Sequence, residues 1–357
     1  MIPMENDFSA SALERIRTEF LQSFPSLLDR IERILTNDFS IPEELRANVL
    51  EMVRYNVLGG KMIRGLFSVY SAYAMSGEWD DKRKEQCFLQ GWCAELLQAA
   101  FLIADDIMDE AETRRGKTAW YRVKKVGMMS INDTFILQSL IPKLLKEVID
   151  SPMVYCNVVR VFEDIKLRTE VGQMLDLSTV AVDTHSLNYK YFTDDYYREI
   201  IVNKTAYYTV FLPVYLGLVL AQCDSSLLRS ELLQEWCVLL GCYFQVRDDY
   251  LDVFADASVL KKEGTDIQEG KCSWVVLTVL SMGSEEDRAA IHQHYGKKEK
   301  EDVRVVKEVF SKYDVKSRFL RYEEDALQRI RAILSSFPEK RFVPFMQFFT
   351  ETLFGRV

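Results

Sequence analysis

Apolar residues recur at mixed three- and four-residue spacing through six long stretches: Leu13–Leu35, Ala47–Leu58, Gln86–Asp109, Met153–Leu177, Tyr196–Gln222 and Ser230–Phe254. That spacing follows the turn of an α-helix and not the two-residue alternation of a strand. Breaker residues separate such stretches at Pro42, Gly59-Gly60, Gly77–Asp81, Arg115-Gly116, Ser151-Pro152, Ala181–Ser186, Cys223–Ser226 and Ala255–Gly270. None of these breaks is long enough to be an interdomain linker. Phe88–Ile103 and Val210–Ala221 are apolar around most of their circumference, as expected of helices enclosed by other helices. The pattern predicts an all-α protein, a single large antiparallel helix bundle in which residues 1–357 form one domain.

Composition agrees with this. Glycine and proline together are 23 of 357 residues (15 and 8), about half the usual share, so the chain is poor in turn formers. The net charge of −9 disfavours nucleic acid and acidic lipid as partners. Seven cysteines without a C-x-x-C pair read as small core residues in a reducing compartment. Three histidines leave little material for a histidine-rich metal site or a histidine-based triad, so any bound metal should be a hard cation held by carboxylates. The first twenty residues carry Glu5 and Asp7 and no apolar segment, and the apolar run Val210–Ala221 is too short to span a bilayer. A cytoplasmic protein with no transmembrane segment is expected.

The chemistry concentrates in two acidic clusters. Asp105-Asp106-Ile107-Met108-Asp109 closes one apolar helical run, and Asp248-Asp249-Tyr250-Leu251-Asp252 closes another, 143 residues later. Residues four apart share a helical face, so Asp105 and Asp109 project side by side. Taken singly, such a cluster reads as a solvated helix end. Two of them terminating otherwise buried helices call for a cation if they face each other, because close carboxylates repel by about 1–4 kcal/mol per pair. Oxygen ligands without histidine or thiolate suit magnesium, which commonly bridges protein carboxylates to phosphate oxygens.

Cations supply the other half of a polyphosphate site. Gly59-Gly60 precedes Lys61 and Arg64, whose spacing predicts one helical face; Thr113-Arg114-Arg115-Gly116 follows the first acidic cluster. Lys204-Thr205 lies in an apolar helix, and Lys262, Gly264-Thr265-Asp266 and Lys271 follow the second cluster. Each cation alone reads as a solvent-exposed side chain. Together they mark a constellation, whereas Met128-Met129, Tyr207-Tyr208 and the cysteines read as core.

These residues, with Gln98 ahead of Asp105, Phe244-Gln245 ahead of Asp248 and Lys271-Cys272-Ser273-Trp274, occur in one order between about Asn56 and Tyr322. In this the chain resembles the trans-isoprenyl diphosphate synthases, and among them the eukaryotic farnesyl diphosphate synthases. The resemblance implies an all-helical homodimer, each subunit with a deep central cavity. It implies that Asp105, Asp109 and Asp248 hold Mg2+, about three ions in all, against an allylic diphosphate, with Asp106, Asp249 and Asp252 one step further out. Arg114, Lys204, Lys262 and Lys271 would grip that diphosphate, while Lys61, Arg64, Gln98 and Arg115 would bind isopentenyl diphosphate. Thr205 and Gln245 would turn dipoles toward an allylic cation. The implied reaction is head-to-tail prenyl transfer, isopentenyl diphosphate adding to dimethylallyl and geranyl diphosphate to give farnesyl diphosphate, with the released diphosphate able to take the proton.

Three departures from that pattern stand out. Ala100 and Phe101 occupy positions where animal members carry two aromatics, and the small residue predicts room for products longer than farnesyl diphosphate. Arg247 replaces a neutral glutamine directly before Asp248, where it would either pair with the aspartates or join the diphosphate grip. The tail Glu351–Val357 offers one arginine where the family is basic. A terpene cyclase built on the same scaffold, and a non-catalytic binding module, are the competing readings. Intact isopentenyl-binding residues speak against the first and intact acidic clusters against the second.

Overall fold

In the computed structural model, which describes residues 8–76, 79–180, 186–255 and 264–355, nearly every element is helical. In chain order the helices are α1 (Ala10–Gln22), α2 (Phe24–Asn37), α3 (Glu43–Val57), α4 (Ile63–Met75), α5 (Asp81–Met108), α6 (Ser130–Val148), α7 (Pro152–Leu177), α8 (Asp194–Ile201), α9 (Leu212–Leu220), α10 (Ser225–Leu228), α11 (Glu231–Phe254), α12 (Asp266–Glu269), α13 (Trp274–Met282), α14 (Glu285–His294), α15 (Lys300–Ser311), α16 (Val315–Ser336) and α17 (Val343–Phe354). A π-helical stretch, Val202–Phe211, joins α8 to α9. The strands of the described residues are β1 (Thr113–Arg114) and β2 (Lys117–Thr118), an antiparallel pair.

Two of the six predicted stretches differ from expectation. Leu13–Leu35 is broken at Ser23, because Pro25 at the start of α2 brings no N–H to the ladder and its ring excludes the carbonyl four residues back. Tyr196–Gln222 is helical throughout but widens to π geometry over Val202–Phe211, immediately before Pro213, which cannot complete an α-type bond. Hydrophobic spacing reports a helix and is blind to one wide turn within it.

The chain divides into two compact units, the first formed by residues up to 164 with 212–230 and 338–351, the second by 165–211, 231–337 and the segment after 351. In the first unit α5 is the central element. Asp80 caps its start by accepting from Arg83 N at 2.7 Å, and Trp92 stacks on Phe20 with ring centroids 4.2 Å apart. α5 is long and apolar enough to cross a membrane by composition, but 78% of its most apolar window is buried by protein. All nine residues of α9 are buried, as their continuous hydrophobicity predicts.

In the second unit the π-helical stretch sits between α7 and α11. A Cβ on Gly172 would lie 2.2 Å from Lys204 N, and one on Gly241 would lie 2.4 Å from Ala206 Cα. Only glycine permits both backbones to approach so closely. The stretch is thereby gripped on two sides at the residues flanking Thr205.

Candidate active site

The first unit presents the first acidic cluster at the end of α5. Asp109 is the C-cap residue, and its N–H still donates to the Asp105 carbonyl at 2.8 Å, so the two carboxylates stay on one face. Asp106 is 2% exposed and turned inward. Arg114 reaches back from β1, its Nε donating to Asp106 Oδ1 at 2.7 Å and one terminal nitrogen to Asp105 Oδ2 at 3.1 Å. Burial raises the Asp106 pKa against the opposing charge of Arg114. Burial pulls the other way on the guanidinium, but the charge of Asp106 and then Asp105 keeps it firmly protonated.

The β1–β2 turn is Arg115-Gly116, both with positive φ (52° and 74°), as a two-residue hairpin of this hand requires. Glycine is at home there and arginine is not. The strained Arg115 directs its guanidinium to the end of α3, donating to the Asn56 carbonyl at 3.1 Å and to those of Val57 and Leu58 at 3.4 Å. It also lies over the glycine turn, where a Cβ on Gly60 would be 2.7 Å from the guanidinium carbon.

Lys61 corrects a sequence expectation. It is exposed and lies before α4, while Arg64 lies within α4 and is 8% exposed. The helix starts only at Ile63 because Met62 takes a left-handed conformation (φ 51°), so the two cations do not share a helical face. Gln98 and Phe101 on α5 are half-buried and Ala100 is fully buried.

The second unit carries the other cluster near the end of α11. Asp248 is exposed, whereas Asp249 and Asp252 are buried. Asp249 accepts from the Tyr197 hydroxyl at 2.6 Å, the Trp274 backbone N–H at 2.8 Å and Gln245 Nε2 at 2.8 Å. The Gln245 carbonyl oxygen accepts in turn from Thr205 Oγ1 at 2.6 Å. Burial pushes the Asp249 pKa up to about 7 despite these donors. Asp252 accepts from Asp266 N at 3.0 Å. Burial and then the charges of Asp252, Asp249 and Asp248 push the Asp266 carboxyl well above the usual range.

Lys204 and Lys271 converge on Asp176, 6% exposed at the end of α7, with distances of 2.6 and 3.4 Å to the same oxygen. Burial alone would raise the Asp176 pKa, but Lys204 and Lys271 overcome it and hold the carboxyl far below the usual range. Lys262 lies outside the described residues.

A family model described as Polyprenyl synthetase matches residues 46–313. The chain belongs to the polyprenyl synthetase family. It is 38% identical to the farnesyl pyrophosphate synthase of Gallus gallus over 339 residues, covering 93% of this chain and 90% of that one. It is 36% identical to the farnesyl pyrophosphate synthase of Artemisia annua, covering 96% and 98%. The crystal structure of the T. brucei farnesyl diphosphate synthase superposes with a TM-score of 0.87 at 27% identity, covering 96% of this chain and all of that one. The all-helical isoprenoid-synthase fold expected from the sequence is therefore that of its structural relatives.

For this polyprenyl synthetase, sequence reasoning missed three residues. Asp176 holds the two lysines, yet in the sequence it is one acid near the end of an amphipathic helix; the missing counter-ion of Lys204 was the only clue. Tyr197 serves Asp249, and nothing in its sequence context marks it. Glu95, 1% exposed, accepts from Gly65 N at 2.8 Å. Burial raises its pKa, and the Gly65 N–H followed by the charges of Arg64 and Arg115 oppose that. An acid inside the apolar run Phe88–Ile103 was a visible signal. The Arg247 guanidinium donates to the carbonyls of Leu353 and Phe354 at 2.6 and 2.8 Å.

Proposed function

We propose that the chain condenses isopentenyl diphosphate with dimethylallyl and geranyl diphosphate, head to tail, to give farnesyl diphosphate. The observation that carries this reading is the presence of both acidic helix ends, the first paired with Arg114, together with the Lys204–Asp176 pair, in a chain similar over nearly its whole length to farnesyl pyrophosphate synthases. The cyclase reading gains no support from these relatives. The whole chain serves as one polyprenyl synthase domain.

The donor set fits magnesium of a particular kind, an ion held by one or two carboxylates and completed by substrate phosphate oxygens and water. Asp105, Asp109 and Asp248 would hold such ions, and the buried, hydrogen-bonded Asp106, Asp249 and Asp252 would orient the helix ends. When bound, the metal would neutralise charge on the departing diphosphate.

The chain's own residues supply the remainder. Lys204, Lys271 and Arg114 are already desolvated and oriented by carboxylates, and an arriving diphosphate competes for them with more charge. Lys61, Arg64, Gln98 and Arg115 bind the second diphosphate. The hydroxyl and carbonyl of Thr205, fixed by Gln245, face the allylic cation.

A homodimer in the cytoplasm completes the proposal. Met128 and Met129, which the sequence reads as core, are instead exposed just before α6, as are Ile131 and Phe135 at its start and Leu167, Val171 and Met174 on one face of α7. Product analysis by mass spectrometry, with dimethylallyl and isopentenyl diphosphates and magnesium, tests the assignment. Farnesyl diphosphate is expected. Volatile hydrocarbon from farnesyl diphosphate alone, with no elongation, would overturn it.

A further inference from the structure

Arg247 and Tyr243 lie one turn apart on α11 and so share a face, and both engage the end of α17. The Tyr243 ring stacks on Phe354 with centroids 3.7 Å apart and planes 4° from parallel. Its hydroxyl donates to Glu323 of α16 at 2.5 Å. One Arg247 nitrogen bridges the carbonyls of Leu353 and Phe354, which belong to the last turn of α17, where carbonyls lack helical partners and the helix dipole is negative. The next residue along α11 is the exposed Asp248.

We propose that the end of α17 is a cradle that holds the Arg247 charge away from the second acidic motif, keeping that motif open to divalent metal. An arginine beside Asp248 is an intramolecular competitor for a metal ion. The cradle neutralises it with two carbonyls and a helix end, and the Tyr243–Phe354 stack keeps those carbonyls in place. Arg247 is a positioning residue here, and the tail is the part of the chain that sets where its charge goes. This inference rests on the reading of Asp248 as a metal ligand.

The experiment is direct binding of Mn2+ in the presence of inorganic pyrophosphate, followed by electron paramagnetic resonance, on four proteins: the full chain and a chain ending at Thr352, each with Arg247 or with Arg247→Gln. The shortened chain should bind Mn2+ about tenfold more weakly, the effect of one added cation near a ligand carboxylate. Arg247→Gln should restore the binding in the shortened chain. In the full chain the same substitution should leave Mn2+ affinity nearly unchanged while lowering hydrogen-exchange protection of residues 350–354. If the shortened chain does not fold, Phe354→Ala removes the stack at full length, and a smaller loss with the same rescue is expected. An equal loss with Arg or Gln at 247, or no loss, overturns the inference alone. A full chain that binds no Mn2+ with pyrophosphate overturns the catalytic reading and this inference together.

Discussion

The two acidic motifs are spelled alike and are held in different ways. In the first, the inward aspartate, Asp106, is met by the Arg114 guanidinium. In the second, the equivalent Asp249 is met by a phenol, an amide and a backbone N–H. A cation opposes the cost of burial through its full charge and neutral donors through hydrogen bonds alone, and in both motifs burial still raises the pKa of the inward carboxyl. A repeated motif thus sets which carboxyl turns inward and leaves to residues outside it the means by which its burial is opposed.

The largest expected effect breaks the symmetry between the outward aspartates. Asp105→Asn and Asp248→Asn should each lower kcat by roughly 10^3-fold in steady-state assays, since each removes a carboxylate that would hold metal against the departing diphosphate. If the units contribute unequally, the two losses will differ, and the ratio measures the inequality.

Asp176→Asn leaves Lys204 and Lys271 without their common partner. Breaking a buried pair of this kind should destabilise the metal-free protein by about 3 kcal/mol in urea unfolding at neutral pH. The folded-state pKa of Asp176 lies below its unfolded value, so its contribution is fully present above the ordinary aspartate pKa and fades as pH falls through the folded value. The difference between wild type and variant should therefore shrink on acidification.

Asp249 has the opposite sign. With a folded-state pKa of about 7 against the ordinary aspartate value of 3.8, it favours the folded protein most at low pH, and that contribution is lost as pH rises between those two values. Asp249→Asn should flatten this decline in metal-free protein and raise stability at pH 8; Asp106, whose pKa burial also raises, should follow the same direction on Asp106→Asn but by less, because that substitution also weakens the Arg114 contact. Denaturant midpoints at pH 5 and pH 8 check both; gains of equal size in the two variants would erase the contrast between the motifs. Tyr197→Phe should cost about 1 kcal/mol and leave the first motif untouched.

The smallest effect concerns product length. Ala100→Phe should shift any products beyond fifteen carbons back to farnesyl diphosphate with little change in rate, read by mass analysis. A wild-type chain that makes only farnesyl diphosphate, unchanged by the substitution, removes the size argument from Ala100.

Helices were legible because burial imposes period on sequence, and the acidic motifs were legible because carboxylates are rare on buried helices. Asp176 and Tyr197 were not, since their roles depend on pairings 28 and 52 residues away in sequence. Arg247 was visible as an oddity. Its partners are backbone carbonyls, which no side-chain pattern announces.

The wide turn between α8 and α9 has a consequence of its own. A segment that adds a fraction of a residue to each turn shifts the phase of everything after it, so Ile200 and Leu216 answer to different clocks although the backbone never leaves its spiral. Deleting a single residue within Val202–Phe211 would return the spiral to its common pitch and spare the packing of one flank while swinging the other out of step. The threonine and lysine at its midpoint are therefore tuned by length as much as by identity.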